Sequence, residues 1–77
     1  MRIQILLTAH LKRYSPGQEE ALEWEVAPEA TVADIVGRLG IPPEVIYVVV
    51  QNGRRVDLPA RLQDGDQLLF LAPITGG

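Results

Sequence analysis

The 77-residue chain contains no cysteine, which removes disulfides, thiolate nucleophiles and cysteine-ligated metals from consideration. Its single histidine, His10, cannot build a metal site alone, and no metal site or bound cofactor is expected. No apolar run reaches the ~18 residues that a membrane-crossing helix needs. Cations are in the minority, with 7 Lys and Arg against 10 Asp and Glu and a net charge of −3. That balance argues against nucleic acid as the main partner, because phosphate binding calls for a basic face. A signal peptide is also absent from this reading: MRIQILLTAH alternates and passes directly into LKRYSPGQEE, with no small-residue cleavage site. A cytoplasmic location fits these absences.

What remains is an ordinary globular composition, 47% hydrophobic, patterned in two periods. In RIQILLTA, Ile3, Ile5, Leu7 and Ala9 fall on one side of a period-two ribbon, which predicts a half-buried strand over residues 2–9. Ser15, Pro16 and Gly17 form a turn cluster. ALEWEVA alternates again, with Leu22, Trp24 and Val26 on the apolar side, so the two strands are expected to pair antiparallel. The period then changes. Val32, Ile35, Val36 and Leu39 make one apolar helical stripe over residues 32–39. Thr31 is placed to cap it, with Asp34 reaching back, and Gly40 followed by Pro42 and Pro43 ends it.

YVVVQ reads as a buried strand whose facing three consecutive valines leave open. Asn52-Gly53 is a strong hairpin signal, with a short return strand in RVDL. PARLQDGD reads as one irregular helical turn followed by a tight Asp64-Gly65-Asp66 turn. QLLFLA is the last strand, expected beside the first and parallel to it. One short helix can cover only one face of the resulting sheet. Ile3, Ile5, Leu7, Leu68 and Phe70 are assigned to that face, and Leu6, Leu69 and Leu71 to the opposite one. Those three leucines are either an exposed partner-binding patch or packed among neighbouring strands. Arg54 and Arg55 read as a solvated turn or as contacts for a partner's acids. Asp57, Asp64 and Asp66 lack the spacing of a calcium loop and read as turn residues.

Taken in order, TVADIV opening the helix, GIPP leaving it, QNG at the hairpin, LQDGDQLLFL entering the last strand and the final GG resemble the ThiS/MoaD family of small sulfur carriers. The likeness covers essentially the whole chain. It implies an α+β, ubiquitin-like β-grasp roll: a mixed sheet of four to five strands, one main helix on one face, a domain spanning residues 1–72, and a flexible C-terminal Gly-Gly tail at 73–77. Within the family, the long first hairpin and Pro73 are most similar to the small subunit of molybdopterin synthase. Ala72 departs from that branch, which carries paired prolines there. The thiamine-pathway carrier is usually shorter and shares the Asn-Gly hairpin.

The resemblance implies a carrier acted on by others, not an enzyme. A ubiquitin-activating-enzyme-like adenylyltransferase would use ATP to activate the carboxylate of Gly77, and sulfur would then replace AMP to leave a thiocarboxylate. The recipient would be a molybdopterin synthase large subunit or another sulfur-accepting enzyme, such as one of thiazole synthesis or tRNA thiolation. A ubiquitin-like modifier or binding module without sulfur transfer is the alternative. The residues fit this chemistry independently. An α-carboxylate with a pKa of about 3.5 is an anion at neutral pH and a poor acyl donor until activated. Gly76 and Gly77 lack the Cβ that would obstruct a narrow channel. Pro73, Ile74 and Thr75 form the neck, and residues 73–77 extended span roughly 16 Å. The competing reading of the tail is a frayed chain end.

Overall fold

Alternation in the first strand produces a two-faced ribbon. β1 (Arg2–Leu7) buries Ile3, Ile5 and Leu7 and turns Arg2, Gln4 and Leu6 the other way. The computed structural model describes residues 1–46 and 48–72; the tail residues Pro73, Ile74, Thr75, Gly76 and Gly77 lie outside the described residues. β2 (Ala21–Glu25) returns antiparallel, with Trp24 opposite Ile3 and Leu22 opposite Ile5. β3 (Val48–Gln51) and β4 (Arg54–Val56) form a hairpin through Asn52 and Gly53, whose φ values of 53° and 83° give the turn the hand that matches strand twist. β5 (Gln67–Leu71) runs through the middle, parallel to β1 and antiparallel to β3. The sheet order is β2-β1-β5-β3-β4, the mixed five-stranded arrangement expected.

The helix α1 (Val32–Leu39) lays its apolar stripe of Val32, Ile35, Val36 and Leu39 across one face of this sheet. Its N-terminus is fully provided for. Thr31 N–H donates to Asp34 Oδ2 at 2.9 Å and Asp34 N–H donates to Thr31 Oγ1 at 3.4 Å, the reciprocal capping box. Val32 N–H donates to Ala60 O and Ala33 N–H to Leu58 O, each at 2.9 Å, so the remaining first-turn donors are satisfied by a distant segment. At the other end Gly40 adopts φ 75°, and Ile41 N–H donates to Val36 O at 3.2 Å as the chain leaves the helix. Phe70, Leu68, Ile3 and Ile5 beneath the helix are fully buried.

Three sequence expectations are corrected. The first strand ends at Leu7, not at residue 9: Thr8 N–H and Oγ1 both donate to Phe70 O, at 3.3 and 2.9 Å, but the Thr8 carbonyl turns out of the ladder and accepts from Leu11 N–H. That bond opens a 3-10 segment (Ala9–Tyr14) that drives Leu11 into the core, so the connection is not merely a polar loop. Ser15 is buried with it, its hydroxyl donating to Glu19 O at 2.8 Å. Finally, the segment before the Asp64 turn makes a single turn, Ala60 N–H donating to Asp57 O at 3.0 Å, and then runs extended through Arg61 and Leu62 where a helical turn was expected. Arg61 bridges Thr31 antiparallel, and Leu62 N–H donates to Ala30 O while the Leu62 side chain fills the core. Its backbone serves the helix start and is therefore unavailable for a helix of its own. Trp24, on the apolar side of β2 as expected, packs half-buried against the core, with the Arg38 guanidinium 4.0 Å above its ring.

Candidate functional site

The sheet face away from α1 has no layer over it among the described residues. Register places one row of side chains straight across all five strands: Ala21, Leu6, Leu69, Val50 and Arg55. The next row toward the end of β5 pairs Leu71 with Val48. Leu6, Leu69, Leu71, Val48 and Val50 are all half-buried, and none packs into the core cluster. They form one contiguous apolar patch that the strands themselves do not cover. Gln4, Glu23, Gln67 and Arg55 are exposed around it. An apolar centre with a polar rim is the anatomy of a docking surface.

The expected leucines thus share this face, and Val48 and Val50 join them. The signal that resolves the valine run is the two-residue turn. With Asn52 and Gly53 at the tip, Val49 must oppose Val56 and Val50 must oppose Arg55. Placing apolar Val56 inward therefore sends Val49 inward and Val48 and Val50 out. Leu71 closes β5 on this face, so chain connectivity brings the patch to within two residues of Pro73. The assignments made for Pro73, Ile74, Thr75, Gly76 and Gly77 fall outside the described residues.

The far end of the sheet is held by a carboxylate. Asp66, only 4% exposed, accepts from Gln51 Nε2 (2.6 Å) and Gln63 N–H (2.7 Å) at Oδ2, and from Asn52 Nδ2 (2.7 Å) at Oδ1. Asn52 Oδ1 in turn accepts from Gln67 N–H at 2.8 Å. Burial pushes the Asp66 carboxyl up, but the donors at Gln63, Asn52 and Gln51 outweigh it and hold the group below its ordinary value. Asp64 Oδ1 accepts from Arg2 N–H at 2.8 Å. These acids fasten turns, as the sequence suggested. Among the described residues no three His, Asp or Glu side chains are grouped to hold a metal ion. His10 is exposed in the 3-10 segment, and the open face presents neither a nucleophile nor a convergent acid–base set. What this arrangement offers is an uncovered apolar surface beside the point where β5 ends.

Comparison with known proteins adds the following. The model of the ThiS family matches residues 5–77. No curated protein sequence matches the chain. Among solved structures, SAMP1 from Haloferax volcanii superposes with a TM-score of 0.78 at 23% identity, over 100% of both chains. Caldiarchaeum subterraneum ubiquitin gives 0.62 at 26% identity, over 100% of this chain and 98% of that one. A chain of the complex of subunits 1 and 2 of molybdopterin-converting factor from Helicobacter pylori 26695 gives 0.64 at 20% identity, over 100% of both. The fold is the ubiquitin-like β-grasp. No helix among the described residues is long and apolar enough to cross a membrane.

Proposed function

The chain belongs to the ThiS family, whose members are small carriers and not catalysts, and from that premise we propose that it is a sulfur carrier loaded at Gly77. The observation that carries this reading is a family match running through Gly77, on a body whose uncovered apolar sheet face extends to Leu71, two residues before Pro73 in the chain. The Gly77 carboxylate attacks the α-phosphate of ATP held by a ubiquitin-activating-enzyme-like adenylyltransferase, releasing pyrophosphate and forming an acyl-adenylate. A sulfur nucleophile then displaces AMP, and the terminus becomes a thiocarboxylate. Gly76 gives the reacting carbon access, Pro73, Ile74 and Thr75 form the neck, and Leu6, Leu69 and Leu71 dock the partner. The chain itself binds no cofactor in this scheme; ATP belongs to the activating enzyme, consistent with a cytoplasmic setting.

For the acceptor, we favour molybdopterin synthesis, with this chain as the small subunit beside a large one. The likeness to a chain from a two-subunit molybdopterin-converting factor supports it, as does Pro73. Thiazole synthesis and tRNA thiolation use the same loaded terminus and remain the other acceptors. The similarity to SAMP1 and to a ubiquitin favours one further reading, a protein modifier whose terminus forms an isopeptide bond.

Intact-mass measurement after incubation with ATP, a sulfur donor and the adenylyltransferase separates these. Replacement of one oxygen by sulfur, confined to Gly77, is the expected result. Lysine-linked adducts without sulfur uptake would assign the modifier role instead. An unchanged carboxylate with several such activating enzymes would refute the carrier. Co-purification with a molybdopterin synthase large subunit, as against a thiazole synthase, then fixes the acceptor.

A further inference from the structure

β2 is one edge of the sheet, and its outward side is unoccupied among the described residues. On its inward side, Val26 N–H donates to Met1 O at 2.7 Å and Leu7 N–H donates to Glu20 O at 2.8 Å. Bonded positions alternate along an antiparallel pair. The backbone groups of Glu20, Leu22, Trp24 and Val26 therefore face β1, while those of Ala21, Glu23 and Glu25 point away from the sheet. None of these three has a backbone partner among the described residues. At the Glu25 end of this edge, between the segment that follows β2 and α1, lies an open groove of about 440 Å³. Buried Ala30 and Ile35 and half-buried Val26 line it, with exposed Glu25, Glu29 and Arg38 around them.

We infer that the β2 edge and this groove form a strand-addition site for an extended basic segment of another protein, one in which apolar and cationic side chains alternate. The pattern follows from the pleat. An added strand pairing with Ala21, Glu23 and Glu25 must alternate its side chains in step with β2. Those aligned with Leu22 and Trp24 lie on the helix side, beside half-buried apolar side chains, and the one aligned with Val26 enters the groove over Ala30 and Ile35. Those aligned with Ala21, Glu23 and Glu25 emerge on the other face beside two carboxylates. Glu23 and Glu25 share a single counter-ion, Arg2, at 3.2 and 3.6 Å, and Glu29 has no ion pair among the described residues. Negative charge therefore remains along the edge, and it selects lysine or arginine at alternate positions. The same charge disfavours a second copy of this chain, because β2 against β2 would bring glutamates together. Five residues, Ala21–Glu25, are available, enough for a segment of similar length. The apolar side chains of the added strand lie on the helix side and its cationic ones at the Ala21 and Glu23 rim of the open face, and the inference does not depend on the sulfur chemistry.

The test is an NMR titration of isotopically labelled protein with the capped peptide KVKVKVK. Expected are amide shifts confined to Ala21–Val26 and Ala30–Arg38, with slowed hydrogen exchange at Glu23 and Glu25. The glutamate analogue EVEVEVE should bind about tenfold more weakly or not at all. Glu23→Pro removes an outward N–H without touching the β1 ladder and should abolish binding. If that variant does not fold, the double variant Glu23→Lys, Glu25→Lys should lose about tenfold in affinity. Shifts on the open face around Leu69, no shifts at all, equal binding of EVEVEVE, or indifference to these substitutions would each overturn the inference. Concentration-dependent shifts at β2 without peptide would overturn it in favour of self-association.

Discussion

Replacing Asp66 by asparagine tests the polar clasp that ties the β3–β4 turn to the start of β5. The aspartate presents two acceptor atoms to three donors, with Oδ2 taking Gln51 and Gln63 and Oδ1 taking Asn52. Asparagine keeps the shape but supplies one acceptor and one NH₂ group. However it is turned, at least one donor then faces another donor. Asn52 cannot flip in compensation, because its own Oδ1 is engaged by Gln67 N–H. Losing one hydrogen bond to a charged group costs about 1.5–3 kcal/mol. At this chain length 1 kcal/mol moves the melting temperature by about 4–8 °C, so a loss near 2 kcal/mol lowers it by about 8–16 °C. Circular-dichroism melts at pH 7 read this directly. The pH dependence gives a second reading. The folded-state pKa of Asp66 is depressed, so its contribution is fully present above the unfolded value of about 3.9. That contribution is lost as pH falls through the folded pKa. The gap between parent and variant must therefore narrow in acid and be constant near neutrality. A variant within about 0.5 kcal/mol of the parent at pH 7, or a gap that does not narrow in acid, would refute this account of the clasp.

Other outcomes follow from the same coordinates. Leu69→Glu, at the centre of the uncovered face, should leave the melting temperature within a few degrees while weakening binding to the adenylyltransferase by about 30-fold or more; unchanged affinity in a pull-down or titration would move the docking surface elsewhere. One alanine appended after Gly77, with no protease present to trim it, should abolish sulfur loading measured by intact mass, and undiminished loading would sink the carrier reading. Phe70→Ala empties the fully buried centre beneath α1 and should cost about 3–5 kcal/mol in urea denaturation. Gly40→Ala places a Cβ at φ 75°, where space is open but the backbone is unfavourable, and should cost about 1 kcal/mol.

The elements that local chemistry dictates were readable from the residues. Thr31 and Asp34 cap the helix, Gly40 ends it, and Asn52-Gly53 turns the hairpin as expected. The inward set Ile3, Ile5, Leu7, Leu68 and Phe70 also follows from alternation alone. What escaped was set by distant partners. Nothing in LPARL says that carbonyls at Leu58 and Ala60 are needed by the first-turn amides of Ala33 and Val32, far earlier in the chain. Likewise, Leu11 looks like one apolar residue in a polar loop until the Thr8 carbonyl turns to accept from Leu11 N–H. For the site, Leu6, Leu69 and Leu71 were legible by parity, whereas Val48 and Val50 required the register that Asn52 and Gly53 impose.

β5 is late in the chain and central in the sheet. The two hairpins, residues 2–25 and 48–56, share no ladder with each other among the described residues; the strand at residues 67–71 is the one that pairs with both. Pairing Gln4 with Gln67 closes a loop of most of the polypeptide. During synthesis, then, β1 waits with one flank bare until residues 67–71 are available, and the ordering of the middle strand is the event that brings both hairpins into one sheet. A shortened chain stopping before β5 would keep two unjoined hairpins and have no foundation from which to display a terminus.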